Sequence, residues 1–196
     1  MYKQSNSRYC YPNSNVLINI PGFKDQQQLD AFERIVTLDR LRLLSLKPIM
    51  GSYDLSHLCT IHSFIFNDIY PFAGELREED IAKDHFRFAP VQFLANQAII
   101  LLDELKSENW LKGLEFEKTV DRLAHYLTEL NVLHPFREGN GRTQREFIRS
   151  LALEVGLYID FTQVDPAIML KAMIESPYDN QRLKYILYTI TSKKRC

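Results

Sequence analysis

The chain has few cysteines and no excess of either charge. Its three cysteines, Cys10, Cys59 and Cys196, lie far apart, with no CxxC pair and no histidine at ligand spacing, so neither a disulfide framework nor a zinc site is indicated. This pattern favours the reduced cytosol. Lysine and arginine number 24, aspartate and glutamate 25, and the net charge is −1. Because nucleic-acid-binding proteins normally carry a basic excess or stripe, we expect no nucleic-acid partner.

Long apolar segments are also missing. Residues 1–19 are polar without an apolar signal-peptide core, and no stretch approaches the roughly 20 apolar residues of a membrane span. We therefore expect a cytoplasmic protein with no membrane partner. The chain does have 45% hydrophobic and 12% aromatic residues over 196 positions, enough for one core without staples. No repeat or low-complexity stretch divides it, so residues 1–196 are predicted to form a single domain.

Apolar residues recur at helical spacing through most of the chain, which predicts an all-α bundle of about seven or eight helices. Capping residues and prolines give their boundaries. The predicted helices run from Asp25 to before Pro48, from Asp54 to Tyr70, from Pro90 to about Ser107, from about Leu114 to Leu133, from about Gly141 to Val155, from Asp165 and Pro166 onward, and from Asn180 to Ile190. His57, His62 and His125 lie on these helices without a set of metal ligands, so we interpret them as structural.

The two ends of the chain fall outside the helical pattern. Residues 1–24 are rich in tyrosine, asparagine and serine, and we interpret them as an irregular segment that wraps the surface. The alternative is that Tyr9, Tyr11, Val16, Leu17 and Ile18 pack into the core. Residues 191–196 are predicted to be a frayed tail.

Residues 76–89 change character and are predicted to form one small β-hairpin. The β-capable stretches are 76–81 and 85–88, and the polar tip between them is Ala82-Lys83-Asp84.

The most distinctive stretch runs from His134 to Arg145 and reads HPFREGNGRTQR. Apolar periodicity on both sides predicts a loop between two helices. Gly139 and Gly141 lack side chains, so they can take positive φ angles and let backbone N–H groups converge on one point. If the second helix begins near Asn140, its unpaired N–H groups and positive dipole end face that point. This combination predicts a phosphate site.

Charged side chains in the stretch agree with a phosphate site. Arg142 and Arg145 share a helix face and can both reach phosphate oxygens; the alternative is that they are ion-pair residues, with Glu138 or Glu146 as partners. Glu138 would repel phosphates unless a cation such as Mg²⁺ lies between them. His134 is the one group in the loop suited to take a proton near neutral pH, although a lone loop histidine is usually solvated or capped.

The stretch matches the signature of the Fic family: His, any residue, Phe, any residue, Asp or Glu, Gly-Asn-Gly-Arg, two residues, Arg. Segments 9–12 (YCYP), 70–75 (YPFAGE) and 86–89 (FRFA) also look like recurring segments of that family, so the resemblance covers most of the chain. It implies a Fic-type helical bundle with one small β-hairpin flap. Arg137 and Gln144 have no assigned chemistry, and we expect both to be exposed.

The resemblance implies a nucleotidyltransferase, a protein adenylyltransferase that uses ATP and Mg²⁺ to place AMP on a tyrosine, serine or threonine hydroxyl of a target protein. His134 resembles the base that deprotonates this hydroxyl, Glu138 the Mg²⁺ ligand and Phe136 a core anchor.

The resemblance also assigns the phosphate contacts. The backbone of Gly139, Asn140 and Gly141 resembles the anion hole. Arg142 and Arg145 resemble the phosphate clamps, with Arg145 expected to bind the γ-phosphate.

In the Fic family the hairpin is a flap over the active site, and the protein substrate pairs with its edge as an added strand. An open strand edge can do this because main-chain hydrogen bonds position a target with little demand on its side chains. The docking residues here would be Ile81, Ala82, Lys83, Asp84 and His85. Ala82 and Asp84 stand where small Ser and Gly are frequent, which leaves target choice open. The alternative is a surface hairpin with no partner.

Many Fic proteins are silenced by a helix with the pattern Ser or Thr, three residues, Glu, then Gly or Asn, whose glutamate captures the γ-phosphate arginine. In this chain only Ser150 has a glutamate at that spacing, Glu154, and Val155 follows it. The pair lies on the fifth helix, where it cannot fold back over Arg145. We therefore predict that a separate antitoxin protein supplies the inhibitory helix and that the chain is toxic alone. The missing glutamate also argues against AMP removal as the main activity.

Several alternatives stay open. Fic relatives can transfer UMP, taken from UTP, or phosphocholine, or act as kinases, although the kinase subgroup departs from the Gly-Asn-Gly-Arg of this chain. As a different class, the chain could be a non-catalytic nucleotide-binding or interaction module. The target is not identified; members of this class often modify subunits of DNA gyrase or topoisomerase IV. A homodimer is compatible with the family, but no self-complementary patch is visible.

Overall fold

The computed structural model describes residues 7–83 and 86–193. Across these residues seven α-helices dominate, so the predicted all-α bundle is confirmed. The helices are α1 (Gln26–Leu46), α2 (Leu55–Phe66), α3 (Val91–Ser107), α4 (Phe116–Leu133), α5 (Asn140–Glu154), α6 (Pro166–Glu175) and α7 (Gln181–Ile190). The short strands are β1 (Ala82–Lys83), β2 (Phe86–Arg87), β3 (Leu157–Ile159) and β4 (Thr191–Lys193). None of the described helices is both long and apolar enough to cross a lipid bilayer.

Three helices begin at the aspartates that the sequence predicted as caps. The Asp25 side chain accepts a 2.9 Å hydrogen bond from a backbone N–H in the first turn of α1. Asp54 accepts a 2.8 Å bond at the start of α2, and Asp165 one of 2.8 Å at the start of α6. Each cap satisfies an N–H group that the helix itself cannot pair, which stabilises the helix by about 1 kcal/mol.

The core is centred on α4 and α5, which pack against each other while α2 lies against α5 and α7 against α4. Facing side chains of α4 and α5 are fully buried: Leu123, Ala124, Leu127 and Leu130 of α4, and Phe147, Ile148 and Leu151 of α5. Burying one such leucine contributes about 1.5–3 kcal/mol. This packing fixes the end of α4 and the start of α5, and the loop 134–139 is held between them.

The prediction of a frayed tail is wrong for residues 191–193. They form β4, which pairs antiparallel with β3. The pairing is stabilised because Thr191 is buried and its hydroxyl donates to the carbonyl of Leu187, while Leu157 and Ile159 of β3 point inward. Strands of three residues carry too little periodicity to be found in the sequence. Residues 194–196 lie outside the described residues.

The hairpin is shorter than predicted and lies differently along the chain. Its strands β1 and β2 pair antiparallel, with Ala82 opposite Arg87 and Lys83 opposite Phe86, so two residues of the predicted tip belong to a strand. The predicted strand at 76–81 is wrong, because Arg77 donates its backbone N–H to the Pro135 carbonyl and not to a partner strand. Asp84 and His85 lie outside the described residues.

The N-terminal segment is irregular from residue 7 to residue 24, apart from one isolated bridge between Cys10 and Leu17. Val16 and Leu17 are buried in the core, so the surface-wrapping interpretation is wrong for these two residues. The Asn19 side chain supports them, since it donates to the Leu17 carbonyl at 2.8 Å. Residues 1–6 lie outside the described residues.

Candidate active site

His134 caps the C-terminal end of α4 in a left-handed conformation, with φ 48° and ψ 62°. A residue with a Cβ atom is strained there by about 1 kcal/mol. The strained conformation is stabilised locally, because the His134 carbonyl accepts a 2.9 Å hydrogen bond from Nε of Arg77. This turn ends α4 and directs the following loop toward α5.

The imidazole of His134 is held in one tautomer. Its Nδ1 lies 3.2 Å from the carbonyl oxygen of Asn131, which only accepts, so Nδ1 carries the proton and the Nε2 lone pair is the basic position. The ring stacks on Phe88 with centroids 3.8 Å apart. Burial lowers the pKa of His134 to about 3, so the ring is neutral near neutral pH.

His62 of α2 fixes the middle of the loop. Its Nδ1 accepts from the Gly74 N–H at 2.8 Å, and its Nε2 donates to the Glu138 carbonyl at 3.0 Å. These partners require the neutral tautomer with the proton on Nε2, and burial lowers the pKa of His62 to about 4. The structural interpretation of this buried histidine is confirmed. Its contact with the loop was not predicted, because it joins residues far apart in sequence.

Phe136 is fully buried and stacks on His62, with ring centroids 3.9 Å apart. The Asn140 side chain closes the loop over it: its oxygen accepts from Phe136 N at 2.9 Å and its amide donates to Phe136 O at 2.7 Å. The side chain of Asn140 is thereby committed to the loop, and only its backbone can face a ligand.

The N-terminus of α5 points into the same region. Gly139 precedes it with φ 76°, a conformation that favours glycine. No acceptor among the described residues is present for the backbone N–H groups of Asn140, Gly141 and Arg142. Unpaired N–H groups at a helix start form an anion site.

Arg142 is held by α1. Its Nη1 lies 2.8 Å from Glu33 Oε1 and donates to Thr37 Oγ1 at 3.3 Å, while its Nη2 lies 3.8 Å from Glu138 Oε1. The alternative partner Glu146 instead pairs with Arg149. Glu33 carries no sequence signal, since it is a charged residue on an amphipathic helix like several others.

Arg145 differs from Arg142 because no carboxylate among the described residues pairs with it. Burial and the nearby charge of Arg142 lower its pKa to about 10, so it remains a cation. Its Nη1 packs over Gly141, 3.1 Å from where a Cβ atom would stand. Glu154, the one glutamate at the spacing of an inhibitory helix, does not reach it, since Glu154 pairs with Lys112 at 2.8 Å.

These groups open into one cavity of about 470 Å³ between the hairpin, the loop and α6. Its polar side holds Lys83, His134, Glu138, Gly139, Asn140, Gly141, Arg142 and Arg145, and its apolar side Phe86, Phe88, Leu170, Met173, Ile174, Pro177 and Tyr178. Phe86 of β2 and Tyr178 meet edge to face, with centroids 5.9 Å apart, across this cavity. Of the predicted docking residues, Ile81 is buried and Ala82 exposed.

Arg137 and Gln144, predicted to be exposed, are buried. Gln144 donates to the Leu130 carbonyl at 2.9 Å, which ties α5 to α4. The guanidinium of Arg137 lies 5.9 Å from the ring of Tyr9 in the N-terminal segment. The prediction failed because a polar residue near a functional loop was assumed to face solvent.

Glu138 is suited to a divalent cation. Its carboxylate is one-third exposed, lines the cavity and accepts from Gly139 N at 2.9 Å. The described residues hold no group of three or more His, Cys, Asp or Glu placed around a metal. A single carboxylate fits Mg²⁺, which usually takes one or two carboxylates and completes its shell with water and substrate phosphates.

The chain is similar to known proteins in both sequence and structure. The Fic/DOC family profile matches residues 52–152. The chain is 41% identical to protein adenylyltransferase VbhT of Bartonella schoenbuchensis, over 93% of this chain and 38% of that protein, so it spans less than half of that relative. It is also 41% identical to a Salmonella typhimurium protein named "Probable protein adenylyltransferase Fic", over 76% of this chain and 73% of that protein.

Two solved structures share the fold closely. BepC of Bartonella tribocorum, with bound AMPPNP, superposes with a TM-score of 0.88 at 25% identity, over 95% of this chain and 97% of that chain. The N-terminal Fic domain of a Bep effector protein from Bartonella quintana, with bound ADP, gives 0.88 at 28% identity, over 95% of each chain.

Proposed function

Because the chain belongs to the Fic/DOC family, we propose that it is a protein adenylyltransferase, which moves AMP from ATP to a tyrosine, serine or threonine hydroxyl of another protein. The names of its relatives support this activity, and the AMPPNP and ADP of two structural neighbours support ATP as the donor. The observation that carries the proposal is the shared cavity of His134, Arg145 and the α5 N-terminus.

ATP would lie with its phosphates on the polar side of the cavity. The N–H groups of Asn140, Gly141 and Arg142 would contact them, since these three residues begin α5 and line the cavity. Arg145, which pairs with no carboxylate in the part of the chain that the structure describes, is assigned to the γ-phosphate, and Arg142 contributes the edge of its guanidinium that Glu33 does not hold. This division of roles follows the expectation from the family resemblance, in which both arginines are phosphate clamps and Arg145 is the partner of the γ-phosphate.

His134 accepts the proton of the target hydroxyl on Nε2. The hydroxyl oxygen forms a bond to the α-phosphorus of ATP, and the bond from that phosphorus to the oxygen bridging to the β-phosphate breaks. Pyrophosphate leaves with the electron pair, held by Arg145 and the α5 N-terminus. Such transfers depend mainly on positioning and on stabilisation of charge, which is what donors fixed by a packed core supply.

Mg²⁺, held by Glu138, would neutralise phosphate charge and orient the leaving group. Oε1 of Glu138 accepts from Gly139 N at 2.9 Å, and Oε2 would be the oxygen offered to the metal, because an ionised carboxylate accepts through both oxygens.

The protein target would dock on the hairpin. Lys83 of β1 lines the cavity, so a segment added along this strand reaches His134. Main-chain pairing would supply affinity. From the resemblance to the Fic family, the expected target is a subunit of DNA gyrase or topoisomerase IV.

Regulation by a separate antitoxin is part of the proposal. Arg145 has no carboxylate partner among the described residues, and Glu154 is engaged by Lys112. A glutamate from another chain could therefore pair with Arg145 and exclude the γ-phosphate. Co-expression with the product of an adjacent gene is expected to relieve growth arrest if that product carries the helix.

Incubation of the purified protein with α-labelled ATP, Mg²⁺ and cell lysate tests the activity, beside His134→Ala and the matched control His125→Ala on the same helix. Label on a protein with the wild type and His125→Ala, but not with His134→Ala, is the expected result. If labelled UTP, but not labelled ATP, places label on a protein, the nucleotide donor is UTP. If the protein binds ATP tightly but transfers no label, we would conclude that it is a nucleotide-binding module and not an enzyme.

A further inference from the structure

Arg77 is a fully buried arginine between the hairpin and the His134 turn. Its Nε donates to the His134 carbonyl at 2.9 Å and its Nη2 to the Leu133 carbonyl at 3.2 Å. Its Nη1 donates to the Glu79 carbonyl at 2.8 Å, and its Nη2 also donates to the Ala89 carbonyl. Each of these acceptors is a backbone carbonyl, so the guanidinium fixes chain geometry, and Oδ1 of Asp80 lies 3.9 Å from Nη1 as a more distant partner of its charge.

The four carbonyls belong to three separate pieces of the site. Glu79 lies on the chain entering the hairpin and Ala89 on the chain leaving it, while Leu133 and His134 form the end of α4. Backbone bonds run beside the guanidinium, since Arg77 N donates to Pro135 O at 2.9 Å and Ala89 N donates to the carbonyl of Val132 at 3.2 Å.

The last carbonyls of a helix have no intrahelical partner, and a cation satisfies them well. The buried charge of Arg77 therefore has a specific use at the end of α4. A lysine cannot reproduce it, because an ammonium group lacks the planar fork that reaches several carbonyls in fixed directions.

We propose that Arg77 is a positioning residue for the transfer reaction, because its guanidinium holds the left-handed turn at His134 and both arms of the hairpin as one unit. The base and the docking edge for the target hydroxyl then keep a fixed distance. This inference rests on the proposed adenylyltransferase function for its kinetic test only.

The test compares Arg77→Met and Arg77→Lys with Arg149→Met. Arg149 is the matched control, since it is also buried and donates to a backbone carbonyl, that of Leu44, and to Glu146, but lies away from the cavity. Both methionine variants are expected to lower the unfolding temperature. Only the Arg77 variants should lower kcat for the target, by about 10–100-fold as expected for misplaced reacting groups, with little change in KM for ATP. Arg77→Lys should recover only part of the loss.

A second readout does not depend on turnover. Amide hydrogen exchange of the hairpin and the ¹⁵N shifts of the His134 ring are expected to change together in Arg77→Met and to stay unchanged in Arg149→Met. Equal kcat in Arg77→Met and wild type per folded molecule, or changes of the same size in both methionine variants, would overturn the proposal. If the wild type transfers no AMP, the proposed function fails, and the exchange and ring shifts still decide the role of Arg77.

Discussion

Glu33 of α1 forms a 2.8 Å ion pair with Arg142 of α5, and the hydroxyl of Tyr70 donates to the other oxygen of the same carboxylate. The first helix therefore positions part of the proposed phosphate site. Arg142 is also flanked by the ring of Phe66, 4.8 Å from its guanidinium carbon. One edge of Arg142 is therefore fixed by protein groups before a nucleotide arrives.

Glu33→Ala is expected to weaken ATP binding by about 3–10-fold, because loss of a charge-assisted hydrogen bond removes about 1 kcal/mol of positioning from Arg142. Isothermal titration with a non-hydrolysable ATP analogue measures the change. Glu33→Gln is the matched control: its amide oxygen still accepts from Arg142, so most of the affinity should remain. Unchanged affinity in Glu33→Ala would show that the remaining contacts of Arg142, with Thr37, Glu138 and the ring of Phe66, are enough to hold it.

Gly139→Ala is expected to destabilise the fold by about 2–4 kcal/mol, since overpacking adds to the strain of a Cβ atom at positive φ. An added Cβ would lie 2.2 Å from Cζ of Phe66. Gly156→Ala provides the control, because Gly156 has φ 79° but nothing within 4 Å of its Cβ position. That variant should lose only about 1 kcal/mol.

Urea unfolding of both alanine variants measures the difference. Equal losses of unfolding free energy would mean that Phe66 moves aside without cost. In that case the glycine is required only for its backbone conformation, and Gly139→Asn should be tolerated.

The sequence predicted the helices well because their signals are local. Asp25, Asp54 and Asp165 each mark a helix start by a bond to the next turn, and apolar spacing follows. The candidate site was predicted as a contiguous loop for the same reason. Its support was not predicted, because His62, Glu33 and the other groups that hold the loop come from distant parts of the chain.

The failures have a common physical origin. β4 and the buried side of the N-terminal segment depend on pairing with residues far away in sequence, which no periodicity records. Arg137 and Gln144 were expected to be exposed because they are polar, yet both are buried. A buried polar side chain needs specific partners, and these become visible only once the fold brings them together.

Arg145→Gln is expected to separate function from stability. The charge of Arg145 is half-buried and lies beside the like charge of Arg142, which is unfavourable for the folded protein. Replacing Arg145 by glutamine should therefore leave the unfolding free energy unchanged or raise it by about 1 kcal/mol. The KM for ATP should rise by about ten-fold or more, since a charge-assisted contact with phosphate is lost. Thermal unfolding and steady-state kinetics measure the two effects. A marked loss of stability would point to a structural partner for Arg145 in place of the γ-phosphate.

Stability is expected to fall on mild acidification because of His62 and His134. Their folded-state pKa values are about 4 and about 3, below the ordinary value of 6.5. Below about pH 6.5 the unfolded chain therefore binds more protons than the folded protein does. The free energy of unfolding decreases as the pH drops through this range. The decrease ends only when the pH passes below each folded-state value. His57, whose pKa burial also lowers, acts in the same direction.

At about pH 5, each of His62 and His134 should reduce the unfolding free energy by about 2 kcal/mol relative to about pH 7, at roughly 1.4 kcal/mol per unit of pH. His62→Gln isolates one contribution: its amide can donate to the Glu138 carbonyl and accept from Gly74 N, but it does not titrate. Urea unfolding at the two pH values should show about 2 kcal/mol less acid sensitivity in this variant. If the variant and the wild type lose the same free energy, His62 is not held neutral between Gly74 and Glu138. Because its protonated form would place an N–H against the N–H of Gly74, the same acidification should loosen the loop that carries Glu138.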